Sequence, residues 1–86
     1  MLMFRPPFTR VSDIEVDTWY NCQYPDRPNL CKVTRCYIDD LQTGARVRAY
    51  KVVTYYDALD ITYGTMKECK EWILERMIGG HYHGKE

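Results

Sequence analysis

The sequence predicts an α+β fold, an antiparallel sheet of three to four strands with one C-terminal helix packed on it. Three observations carry that expectation. Residues 31–39 and 45–56 are rich in Val, Ile, Thr and Tyr and flank Asp40-Leu41-Gln42-Thr43-Gly44, the pattern of a β-hairpin around a turn. In residues 65–78, Met66, Cys69, Trp72, Ile73 and Met77 recur at spacings of three and four, so one apolar stripe runs down a helix. The 86 residues form a single small domain with one core, in which the sheet face and the helix stripe must cover each other.

Each element follows from its residues in turn. Residues 1–12 mix apolar and aromatic side chains around Pro6-Pro7, which removes two backbone donors and fixes φ, so they read as an extended arm. Across residues 13–20, Ile14, Val16, Thr18 and Tyr20 alternate with Asp13, Glu15, Asp17 and Trp19, which predicts a strand with one wet, acidic face. Pro25, Asp26, Pro28 and Asn29 make residues 23–29 a loop by turn chemistry. After the hairpin and a turn near Asp57, residues 59–63 give a short further strand ending at Gly64. Thr65-Met66-Lys67-Glu68 has the capping-box form, in which Thr and Glu satisfy each other's orphan amides, and Gly79-Gly80 stops the helix. The tail, residues 81–86, is polar and expected to be mobile.

Composition narrows the function classes. Twelve Lys and Arg against twelve Asp and Glu leave no net charge, so binding to nucleic acid or anionic lipid would need a local patch. The apolar runs are far shorter than the roughly 20 residues that span a bilayer, and the Met-Leu-Met-Phe-Arg start lacks the apolar stretch of a signal peptide. A cytoplasmic, soluble chain is expected.

Metal and catalytic readings find little footing. Cys31 and Cys36 lie an odd number of residues apart on one strand and so face opposite sides, Cys22 sits nine positions before Cys31, which makes no Cys-x-x-Cys knuckle, and Cys69 belongs to the helix stripe. The cysteines are expected to be reduced, small apolar residues. His81 and His83 follow a double glycine at the end of the sequence and lack the fixed surroundings of a metal site. Pro25-Asp26 followed by Glu68-Cys69-Lys70 resembles the PD-(D/E)xK pattern of metal-dependent nucleases. In that family the ExK triplet sits on a strand, whereas here it falls in the first turns of a helix. No catalytic residue, metal site or cofactor is expected, and the chain is read as a non-enzyme.

The hairpin surface carries the functional expectation. Closing the hairpin around Asp40 and Ala45 pairs residues whose numbers sum to 85, which puts Cys36, Ile38, Val47, Ala49 and Val53 on one face, read as the core side. The other face then carries Arg35, Tyr37, Arg46, Arg48 and Tyr50, with Val33 and Val52 between them. Arginine and tyrosine interleaved on a sheet suit protein-binding hot spots, and they also stack on bases and pair with phosphates. These five residues are the candidate binding set, and ordinary cross-strand stacking on a solvated face is the competing explanation.

At Gly64-Thr65-Met66-Lys67-Glu68-Cys69-Lys70-Glu71-Trp72-Ile73 the chain resembles the strand-to-helix step of small sheet-plus-helix proteins of phages and mobile elements. Integrase arm-binding domains and several anti-CRISPR inhibitors are built this way. Double-stranded-RNA-binding domains share a β-β-β-α ending, but this chain lacks their first helix and has Glu68 and Glu71 where they would want lysines. The resemblance implies a small inhibitor that occludes a host protein or a nucleic-acid-handling complex, and it transfers no binding residue. The alternative expectation is a nucleic-acid-binding module using the Arg/Tyr face.

Overall fold

The computed structural model describes residues 9–81. After a 3-10 turn at Val11–Asp13 come strands β1 (Tyr20–Gln23), β2 (Pro28–Asp39), β3 (Arg46–Thr54) and β4 (Asp60–Gly64), helix α1 (Met66–Arg76) and strand β5 (Met77–His81). They form one antiparallel sheet in the order β4-β3-β2-β1-β5, with α1 lying across one face. The α+β class therefore holds, with five strands in place of three to four. Among the described residues no helix is long and apolar enough to cross a membrane.

Helix α1 forms where the sequence places it. Thr65 Oγ1 accepts from the Glu68 N–H at 3.1 Å and the Thr65 N–H donates to Glu68 Oε1 at 2.9 Å, so the capping box is complete. The helix carries the chain from β4 at one edge of the sheet to β5 at the other. Its stripe buries Cys69 and Ile73 against Cys22, Cys31, Val33 and Val52, with Met77 buried just beyond it. Met66, at the first turn, is left exposed because it lies outside that contact.

Three expectations need correction. Residues 13–20 are not a strand: Asp17 adopts φ 65°, which breaks the alternation, and the Asp13 carboxylate accepts from the Arg10 N–H at 2.8 Å to close a turn instead, so pairing begins only at Tyr20. The helix ends at Arg76, short of Gly79-Gly80, because Met77 turns extended (φ −64°, ψ 134°) and pairs with Cys22. The glycines then serve a strand: a Cβ on Gly79 would come within 3.3 Å of Asn21 Cβ. The arm over residues 1–12 ends in the Val11–Asp13 turn, and its first eight residues, like all but His81 of the tail, lie outside the described residues.

The third correction concerns the hairpin. Its register is the one that the sequence requires, with Arg35 opposite Tyr50, Cys36 opposite Ala49, Tyr37 opposite Arg48 and Ile38 opposite Val47. The side assigned to the core is reversed. Val33 and Val52, on the Arg/Tyr face, are fully buried under α1, whereas on the uncovered face Ile38 and Val47 are 40% and 38% exposed, Cys36 and Val53 are half-buried, and of the five residues assigned to the core there only Ala49 is buried. Register decides which residues share a face, but only the position of the helix decides which face is covered.

Candidate functional site

Strands β2 and β3 are long, and the rest of the sheet covers only part of them. β1 pairs β2 only as far as Cys31, and one further bond, from the Asp17 N–H to the Val33 carbonyl, extends that cover. On the other side β4 stops where Gly64 meets Tyr50. Beyond those points the hairpin continues as a two-stranded ribbon. The pairs Tyr37–Arg48, Ile38–Val47 and Asp39–Arg46 are exposed on both faces, with Tyr37 at 59%. An isolated two-stranded ribbon is marginal in water, so its shape depends on the anchored base and on its turn.

The turn is well specified. Asp40 N–H donates to the Ala45 carbonyl at 2.8 Å and Gly44 N–H to the Asp40 carbonyl at 2.7 Å. The Asp40 carboxylate accepts from the Gln42 N–H at 2.8 Å. Gly44 sits at φ 76°, where any side chain would be strained. This turn presents Leu41 at 97% exposure, a large apolar side chain at the tip that no part of the fold uses.

All five candidate residues project from one face, but they are not equivalent. Arg35 pairs with Asp17 at 3.4 Å, and Arg46 pairs with Asp39 at 3.9 Å while its guanidinium lies 5.7 Å from the Tyr37 ring centre. Both ion pairs are exposed, and such pairs contribute about 0–1 kcal/mol, so a better partner can displace them. Arg48 makes no ion pair, hydrogen bond or ring contact among the described residues. Tyr50 is half-buried and packs on the core cluster, so it serves the fold as well as the face.

The remaining sequence candidates take structural roles. Cys22 and Cys31 are buried side by side under α1, and the contact with Cys31 together with burial holds the Cys22 thiol protonated, far above the ordinary thiol range. Burial also raises Cys69, while Cys36 is half-buried on the uncovered face. All four are free thiols. Glu68 is engaged in the capping box and Asp26 lies exposed between β1 and β2, so the nuclease-like residues occupy a helix turn and a loop. Among the described residues no three His, Cys, Asp or Glu side chains gather as a metal site. His81 lies in β5 and His83 outside the described residues.

A second exposed group lies outside the candidate set. At the end opposite the ribbon, the β3–β4 turn holds Asp57 and Ala58 at φ 76° and 47°, an uncommon conformation for residues other than glycine. Buried Asn29 fixes it, accepting from the Leu30 and Tyr56 N–H groups and donating to the Tyr24 carbonyl. The Arg27–Asp57 ion pair closes the outside. Tyr55 and Tyr56 stand exposed there at right angles, with Trp19 against Tyr55 at 5.4 Å and Lys32 over the Trp19 ring. Asp57 marked a turn in the sequence, but nothing in it signalled two consecutive left-handed residues. Comparison with family models, with curated proteins and with solved structures gives no match to this chain.

Proposed function

We propose that the chain is a non-enzymatic binding protein of the cytoplasm that occludes a surface on a partner protein, in the manner of a small phage inhibitor, with its projecting β-ribbon. The observation that carries this reading is the ribbon itself. Three successive cross-strand pairs are exposed on both faces, and they display Tyr37, Arg46 and Arg48 on one side and Ile38 and Val47 on the other. A fold does not need such side chains for its own stability, whereas tyrosine and arginine are the residue types that anchor protein interfaces. Four free cysteines suit a reducing compartment. The partner is a host protein, including one within a nucleic-acid-handling complex.

The competing reading, direct binding of nucleic acid, draws on the three arginines of one face and on the ability of a two-stranded ribbon to enter a major groove. Asp39 and Asp40 near the tip oppose it, since they would meet phosphate. Affinity capture from a bacterial lysate separates the two. A protein should be retained with and without nuclease treatment and be lost with the double variant Tyr37→Ala, Arg48→Ala. Capture that vanishes with nuclease, or that ignores the double variant, overturns the reading.

A further inference from the structure

Resting on that reading, we infer that the ribbon engages its partner by strand addition: an extended segment with alternating acidic and apolar residues pairs with the bare edge of β3 at residues 46–49. The edge is bare because β4 ends at Gly64, opposite Tyr50, and the chain then turns away into α1 through the Thr65 cap. A hollow of about 410 Å³ remains there, lined by Arg48, Ala49, Tyr50, Gly64, Met66 and Glu68. It is bounded by a strand on one side and the first turn of a helix on the other, a shape that accepts a further strand.

The backbone direction along β3 follows from three bonds. Tyr55 N–H donates to the Leu30 carbonyl and the Ala45 carbonyl accepts from Asp40, so odd-numbered residues of β3 point their backbone groups toward β2. Thr54 N–H donates to the Leu59 carbonyl on the other side, as alternation requires of even-numbered residues. Arg46 and Arg48 therefore direct their N–H and C=O groups outward, where among the described residues no strand meets them. These are the groups that an added strand would pair.

Side chains then define the occupant. On the helix side of the ribbon an added strand runs beside the guanidiniums of Arg46 and Arg48, of which the first has the exposed 3.9 Å pair with Asp39 and the Tyr37 ring at 5.7 Å, and the second has no partner among the described residues. Carboxylates at alternate positions complement them, since arginine pairs with carboxylate in a fixed two-pronged geometry. On the opposite side the same strand meets Val47 and Ala49, with Ile38 behind them, so the intervening residues are apolar. Glu68 lies at the inner end of the hollow, with its carboxylate taken up by the Thr65 N–H.

The test uses the full chain, isotope-labelled for amide exchange, titrated with the peptide acetyl-Glu-Val-Glu-Val-Glu-Val-amide. At saturation the Arg46 and Arg48 amides should exchange at least tenfold more slowly, while Val47 and Ala49, already directed toward β2, change less. Arg48→Ala and Arg48→Pro both remove the guanidinium, but only the proline removes the outward N–H, so Arg48→Pro should weaken the peptide a further tenfold. Unchanged amide exchange at Lys51 and Val52, whose N–H groups lie within the paired ladders, establishes that both variants keep the fold. Absent peptide binding, free exchange of the Arg46 and Arg48 amides, equal affinities of the two variants, or equal binding of a Lys-Val peptide would each overturn strand addition. So would protection of those amides by a duplex oligonucleotide and not by the peptide. If the Tyr37→Ala, Arg48→Ala variant loses its captured protein while these amides stay free, strand addition fails and the ribbon reading stands.

Discussion

Val33 and Tyr37 stand on the same face of the same strand, yet Val33 is fully buried and Tyr37 is 59% exposed. Between them passes the boundary of helix α1. Below it the hairpin is the centre of the core, with Cys31, Val33, Val52 and Thr54 buried. Above it the same two strands, in the same register, are covered by nothing among the described residues. One continuous element thus divides into a part that holds the fold and a part that is held by it. The helix crosses the strands from β4 to β5 and covers only part of the hairpin's length, and the side chains change character where its cover stops.

The comparison predicts a graded response to substitution. The largest effect belongs to the base: Ile73→Asp puts an unpaired charge where Ile73 is fully buried, and circular dichroism should find the chain unfolded. If that variant melted with the parent, the helix would not be the cover that defines the boundary. Next, Asn29→Ala strips partners from the Leu30 and Tyr56 N–H groups and should cost about 2–3 kcal/mol in urea titrations, since buried orphaned amides are expensive. Thr65→Ala removes one half of the helix cap and should cost about 1 kcal/mol. In the ribbon, Tyr37→Ala and Arg48→Ala should each change stability by less than about 0.5 kcal/mol, as exposed sites do, while abolishing partner capture.

Acid sharpens the contrast at its low end. Asp60 accepts from the Tyr63 hydroxyl at 2.9 Å and from Lys51 Nζ at 3.2 Å, and these bonds hold its carboxyl below the ordinary value of 3.8. A carboxyl lowered in the folded state adds stability above its unfolded pKa and loses that contribution as pH falls through the folded one. Amide protection in β4 should therefore fall on acidification through the lower carboxylate range. Asp60→Asn should flatten that loss.

The residues made much of this legible, and the gaps have physical causes. Thr65 and Glu68 announced the helix start because a capping box is a local device, complete within one turn. The hairpin register followed from closure around Asp40 and Ala45, again a local constraint. What failed was non-local. Gly79-Gly80 read as a stop signal, whereas the segment forms an edge strand chosen by its pairing with β1. The face of the hairpin was inverted because Val33 and Val52 resemble Ile38 and Val47 in composition, and only the landing of Cys69 and Ile73 distinguishes them. The candidate residues were grouped correctly on one face, but that Tyr50 belongs partly to the core while Tyr37 and Arg48 stand beyond it depends on where α1 begins.

The claim beneath all of this is that the ribbon is kept for a partner and contributes little to the fold. Excising residues 37, 38, 47 and 48 together removes two exposed cross-strand pairs, preserves the hydrogen-bond alternation of the ladder and joins Cys36 to Asp39 and Arg46 to Ala49. Urea unfolding of this shortened chain measures the claim directly. A cooperative transition within about 1 kcal/mol of the parent is the predicted result, given how little exposed sites contribute. A loss of about 3 kcal/mol or more, the scale of a core deletion, would contradict it and make the ribbon part of the fold's own foundation.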